Sequence, residues 1–124
     1  MKKSYLIGLI ILVAILTILF LKSNMTNGVS STSTKVVVLM KADSFDPEIL
    51  TIKRGTTVEF KNVDTNAHWP ASDIHPTHTI YPEFDPQKPI DAGTSWSFIF
   101  EKVGSWKDHD HLVPSTRGVI IVTE

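Results

Sequence analysis

Five histidines fall in two windows of the 124-residue chain: His68, His75 and His78 in one, His109 and His111 in the other. Neutral imidazole offers a lone pair near neutral pH, which makes histidine the commonest transition-metal ligand. His109 and His111 flank a single residue, Asp110, at the close of a stretch that reads as a strand. Alternate side chains of a strand share a face, so this pair presents two rings to one side from one rigid element. His75-Pro-Thr-His78 is a weaker signal, because a histidine beside a proline is ordinary surface. The chemistry expected is metal ligation, provided that the fold brings the two windows together.

The elements that must position these rings are all extended. Short β-branched runs with period-2 alternation, punctuated by Gly, Pro, Asn and Asp, occupy 35–41, 48–53, 56–62, 95–101, 105–109 and 118–123. Arg54-Gly55 and Lys102 to Gly104 read as tight turns between consecutive strands. Val58 and Phe60 share one face against Thr57, Glu59 and Lys61; Trp96, Phe98 and Phe100 share another against Ser95, Ser97 and Glu101. Two antiparallel sheets with these faces pressed together form a β-sandwich. Asn66 to Asp91 carries five prolines and no strand pattern. A loop of that length in a compact domain is usually functional or disordered, and its aromatics and histidines argue against disorder. Within it Trp69, Tyr81 and Phe84 are expected to pack the loop onto the sandwich, while Asp73, Glu83, Asp85 and Asp91 read as a solvated acidic face.

The start of the chain is of another kind. Tyr5 to Leu21 is an uncharged apolar run, preceded by Lys2 and Lys3. It is read as one transmembrane helix within an anchor at 1–22, with a cleaved signal peptide as the alternative. The positive flank places the N-terminus in the cytoplasm and the remainder outside it, so the expectation is a single-pass membrane protein. Residues 23–34 are small and polar and read as a flexible linker to a domain at 35–124. The chain has no cysteine, which excludes disulfides and thiolate chemistry. With the three anchor lysines set aside, nine basic residues face thirteen acidic ones, and no basic patch supports a nucleic-acid role.

In order and spacing the domain resembles the cupredoxins. Val58-Glu-Phe-Lys-Asn62 leading to His68, an aromatic strand Trp96 to Phe100, a glycine turn, a strand ending in histidines and the closing Gly118-Val-Ile-Ile-Val122 carry the resemblance, as does Phe45 to Gly55. It implies an all-β Greek-key β-sandwich over 35–124, with His68 as the first metal-binding histidine. A blue-copper site needs one Cys, and the aligned position here is Asp110, so blue copper is excluded. Alternation puts Trp106, Asp108 and Asp110 toward the core and His109 and His111 on the opposite side. The segment also resembles the His-Cys-His segment of multicopper oxidases. An inward Asp108 is costly without a partner; it is expected either to accept from a ligand imidazole or to reach solvent.

These readings converge on a membrane-anchored extracytoplasmic protein that binds copper, with zinc as the second choice. The ligands expected are His68, His109 and His111, with His75 or His78 in the fourth place. The use implied is electron transfer or copper handling with a redox or metal-transfer partner. Two alternatives stand beside it: a small metalloenzyme using an all-histidine copper or zinc centre, and a metal-free adhesion sandwich whose histidines serve only pH response.

Overall fold

A computed structural model describes residues 34–124; the anchor assigned to 1–22 and nearly all of the linker assigned to 23–34 lie outside them. Eight strands run in chain order as β1 (Lys35–Met40), β2 (Phe45–Asp46), β3 (Ile49–Lys53), β4 (Thr56–Asn62), β5 (Pro70–Ser72), β6 (Ser95–Phe100), β7 (Gly104–Asp110) and β8 (Arg117–Thr123). They form two four-stranded sheets, β2-β1-β4-β6 and β3-β8-β7-β5. The β-sandwich expected from alternation is the architecture found.

Two details differ from the expectation of purely antiparallel sheets. β1 runs parallel to β4 and β3 parallel to β8, while the other pairings are antiparallel. The chain leaves the first sheet after β2, forms β3 in the second and returns as β4, which brings β4 beside β1 in the same direction. Alternation reports which face of a strand is buried and carries no information on its neighbour or direction. β5, set within the long loop, is the second detail. Three residues give too short a run for alternation to register, and its proline is tolerated because β5 is an edge strand with one neighbour.

The core lies where the alternating faces meet. Val38, Met40, Val58, Phe60 and Phe100 from one sheet face Ile52, Ile120 and Val122 from the other, and the long loop adds Tyr81, Phe84 and Ile90. Phe84 is fully buried and lies 5.0 to 6.0 Å, centroid to centroid, from Phe60, Trp96, Phe98 and Phe100. Offset and edge-on contacts of this kind add to burial itself. The Ser72 hydroxyl lies 3.0 Å from the carbonyl of His78 and 2.9 Å from that of Tyr81, tying the loop to the end of β5. The loop is therefore part of the sandwich's core.

Truncating Phe84 tests this. Phe84→Ala is expected to lower unfolding free energy by about 3–5 kcal/mol, measured by chemical denaturation, with Phe84→Leu losing substantially less; a loss below ~1 kcal/mol would mean that the loop is a passive cover.

Candidate metal centre

β7 ends with both of its faces covered. Asp108, His109 and Asp110 are 1%, 0% and 0% exposed. Successive side chains point to opposite faces, so the aspartates turn to one side and His109 and His111 to the other. The outer side is roofed by the loop that follows β5. Antiparallel pairing sets Ala71 beside His109 and Ser72 beside Asp108, so residues 73–78 start directly over the two rings.

Four histidines meet there. One ring nitrogen from each of His75, His109 and His111 lies within 4.8 Å of the others. His75 Nδ1 is 3.2 Å from His109 Nε2, and His78 Nε2 is 2.9 Å from His111 Nδ1. His78 sits at φ +51°, in the left-handed region, which swings its ring back toward β7. For metal–nitrogen bonds of about 2.0–2.1 Å, donors at a right angle are about 2.9 Å apart and donors at the tetrahedral angle about 3.3 Å. The two separations fall in that range, and the donor set, imidazole nitrogens alone, is of the kind a transition metal takes.

Carboxylates fix the outer nitrogen of two rings. His109 Nδ1 donates to Asp73 Oδ1 at 2.9 Å, and His78 Nδ1 donates to Asp85 Oδ2 at 2.7 Å. An ionised carboxylate only accepts, so the proton stays on Nδ1 and each Nε2 keeps its lone pair toward the centre. His75 Nδ1 and His111 Nδ1 donate into those lone pairs. A metal would require only that these two rings move their proton to the other nitrogen. Burial lowers the pKa of His109, against the pull of Asp73; burial, then the nearby His78 and His75, lower that of His111. Both effects keep these imidazoles neutral and ready to ligate. Burial raises Asp85, but hydrogen bonds from His78, the Gln87 backbone and Trp69 outweigh it and hold the carboxyl below its ordinary value.

His68, expected in the first ligand set, lies apart from these four rings, on the other side of β7. Its Nδ1 is 2.5 Å from Asp110 Oδ2 and its Nε2 3.2 Å from Asp64 Oδ2, so both ring nitrogens are taken by carboxylates. Asp110 Oδ1 accepts in addition from the backbone N–H groups of Trp69 and Leu112. The pair is buried, with His68 1% and Asp110 0% exposed. On the core side of β7, the histidine and the residue in the aligned cysteine position thus bond to each other. Sequence reasoning also missed Asp73 and Asp85, read as solvated surface; the available signal was spacing, since Asp73 stands two residues before His75. Trp69 packs against His111, centroids 4.7 Å apart, while its Nε1 donates to Asp85 Oδ1 at 2.8 Å.

Neither expectation for Asp108 holds. Its Oδ1 is buried and has no hydrogen-bond partner among the described residues. It lines an open cavity of about 280 Å³ together with Glu48, Asp73, Lys107 and Arg117. Gly118 makes the room, because a Cβ there would lie 2.9 Å from Asp108 Oδ1. Burial first, and the Asp73 charge second, push the Asp108 carboxyl well above its ordinary value.

Two stability tests follow from these contacts. His68→Ala leaves Asp110 buried without its partner and is expected to lower unfolding free energy by about 3–5 kcal/mol; a cost under ~1 kcal/mol would show the pair to be incidental. For Asp108 the folded pKa exceeds the unfolded one, so its contribution is intact in acid and is lost as pH rises through the raised value. Asp108→Asn has no proton to lose, and is expected to raise the melting temperature at pH 8 and leave it nearly unchanged at pH 4. An equal shift at both pH values would refute that assignment.

The comparisons agree with this architecture. Among curated proteins none matches the chain by sequence. In structure the chain is similar to a novel purple cupredoxin from Nitrosopumilus maritimus, at 24% identity and TM-score 0.62 over 71% of this chain and 99% of that one. It is also similar to a copper-containing nitrite reductase from Thermus scotoductus SA-01, at 30% identity and TM-score 0.61 over 73% of this chain but 22% of that one. A point mutant of amicyanin in its reduced form matches at 19% identity and TM-score 0.63, over 77% of this chain and 87% of that one. The family model for the cupredoxin-like domain matches residues 8–122. With that match spanning nearly the whole chain and the two-sheet sandwich agreeing with it, the protein belongs to the cupredoxin-like domain family.

Proposed function

We propose that this protein binds copper through His75, His109 and His111, with His78 as a fourth donor, and uses it in electron transfer or copper handling. The observation that carries the proposal is the convergence of four imidazoles, two of them with the outer nitrogen held by a carboxylate. Copper is preferred over zinc because the similar structures include a copper-containing nitrite reductase and a Cu(I) form of an amicyanin mutant. With no cysteine in the chain, a bound Cu(II) would have nitrogen ligands only, which gives a pale tetragonal centre without the intense thiolate colour. The proposal includes the anchor at 1–22, the linker at 23–34 and an extracytoplasmic domain at 35–124, which would hold the centre near the membrane for a redox or metal-transfer partner. The apolar run and its lysine flank support that placement.

Titration of the purified chain with Cu(II), followed by absorption and paramagnetic resonance, tests the reading. One copper per chain with nitrogen hyperfine structure is expected. Replacing His109 and His111 together with Ala should lower affinity by more than the roughly 10–100-fold typical of losing an outer carboxylate. His68→Ala, in whatever fraction folds, should bind as the parent does. Absence of stoichiometric binding, or dependence on His68 and not on His109 and His111, would overturn the assignment.

A further inference from the structure

We propose that Arg117, acting through Asp73, is a positioning residue that sets the charge which His109 presents to a bound metal; this rests on the copper reading of the histidine centre. Arg117 lies directly across the β7–β8 ladder from His109. Its guanidinium donates through Nη1 to both oxygens of Asp73, at 3.2 Å to Oδ1 and 3.0 Å to Oδ2. Oδ1 is the same oxygen that receives the His109 Nδ1 proton at 2.9 Å. Asp73 is itself fixed at the joint between the two histidine windows. Its backbone N–H donates to the Lys107 carbonyl, and its carbonyl accepts from the N–H of Ile80. One carboxylate therefore connects an exposed cation on β8 to a fully buried ligand on β7.

The consequence is electronic as well as geometric. A carboxylate accepting from Nδ1–H pushes electron density toward Nε2 and makes it a better donor to the higher-charged metal ion. A guanidinium sharing that carboxylate draws the density back. Asp73 is 15% and His109 0% exposed in their side chains, so water screens this segment of the chain of contacts weakly. Arg117 is 56% exposed, which leaves its charge open to salt or to a partner's carboxylate. The other orienting carboxylate differs: Asp85 is held by the neutral donors Trp69 Nε1 and the Gln87 backbone N–H. The two histidines thus have unequal partners: among the described residues a cation bonds to Asp73 and none to Asp85.

Opposite signs separate this from plain structural support. Cu(I) and Cu(II) affinities and the reduction potential are measured on the full chain in detergent. Asp73→Asn is expected to weaken Cu(II) binding relative to Cu(I) by roughly 10–100-fold and raise the potential. Arg117→Gln should shift the ratio by a smaller factor in the other direction and lower the potential, while Arg117→Lys stays near the parent. In the Asp73→Asn background, Arg117→Gln should add nothing. Loss of both affinities in parallel, shifts of the same sign, or an Arg117→Gln effect that persists without Asp73 would overturn the proposal. Failure of the parent chain to take up copper would strike the histidine-centre reading as well, and is scored before any variant.

Discussion

Everything at the candidate centre depends on one constraint: neighbouring side chains of an extended strand cannot share a face. At the end of β7 this separates Asp108 and Asp110 from His109 and His111. The aspartates are committed to the interior, where charge is costly, and the histidines to the outer face, where a loop must cover them. Asp110 meets its cost with His68 and two backbone N–H groups. Asp108 keeps an unpartnered oxygen and a raised pKa, the physical alternative to pairing.

The long loop is the second half of the same arrangement. Tyr81, Phe84 and Ile90 drive its far part into the core, and the β5–β7 pairing fixes its start. Between these anchors the segment 73–78 has little choice but to lie over the β7 rings, carrying His75 and His78 with it. The hydrophobic contribution and the ligand geometry are thus coupled: the aromatics that stabilise the sandwich also hold two of the four imidazoles in place. Asp73 and Asp85 then fix which nitrogen of His109 and His78 faces inward. A candidate centre pre-set in this way would not have to order its imidazoles to take a metal, which would lower the entropic cost of binding.

Compared with the family pattern, the chain has two changes that answer each other. A thiolate is missing, and the histidine that would share its site bonds to the aspartate in its place. A buried histidine–aspartate hydrogen bond occupies the core side, and the converging imidazoles lie on the outer side. The sandwich can accommodate this because both sides of β7 are buried at its end, over Asp108, His109 and Asp110.

The alternation of Val58, Phe60, Trp96 and Phe100 made the sandwich legible, because burial of one face forces period 2 on the residue types. The His109-Asp110-His111 triplet likewise announced two rings on one face and an inward acid without any knowledge of the partners. What the residue order could not convey was every relation between segments distant in the chain. The parallel pairings, the capture of His68 by Asp110, the meeting of His75 and His78 with the strand pair, and the change of Asp73 and Asp85 from surface acids to imidazole partners all arise between residues 7 to 70 positions apart. Local chemistry is written in residue type and period. Which carboxylate reaches which ring is decided when the loop docks, because only then do the distances shrink to hydrogen-bonding range.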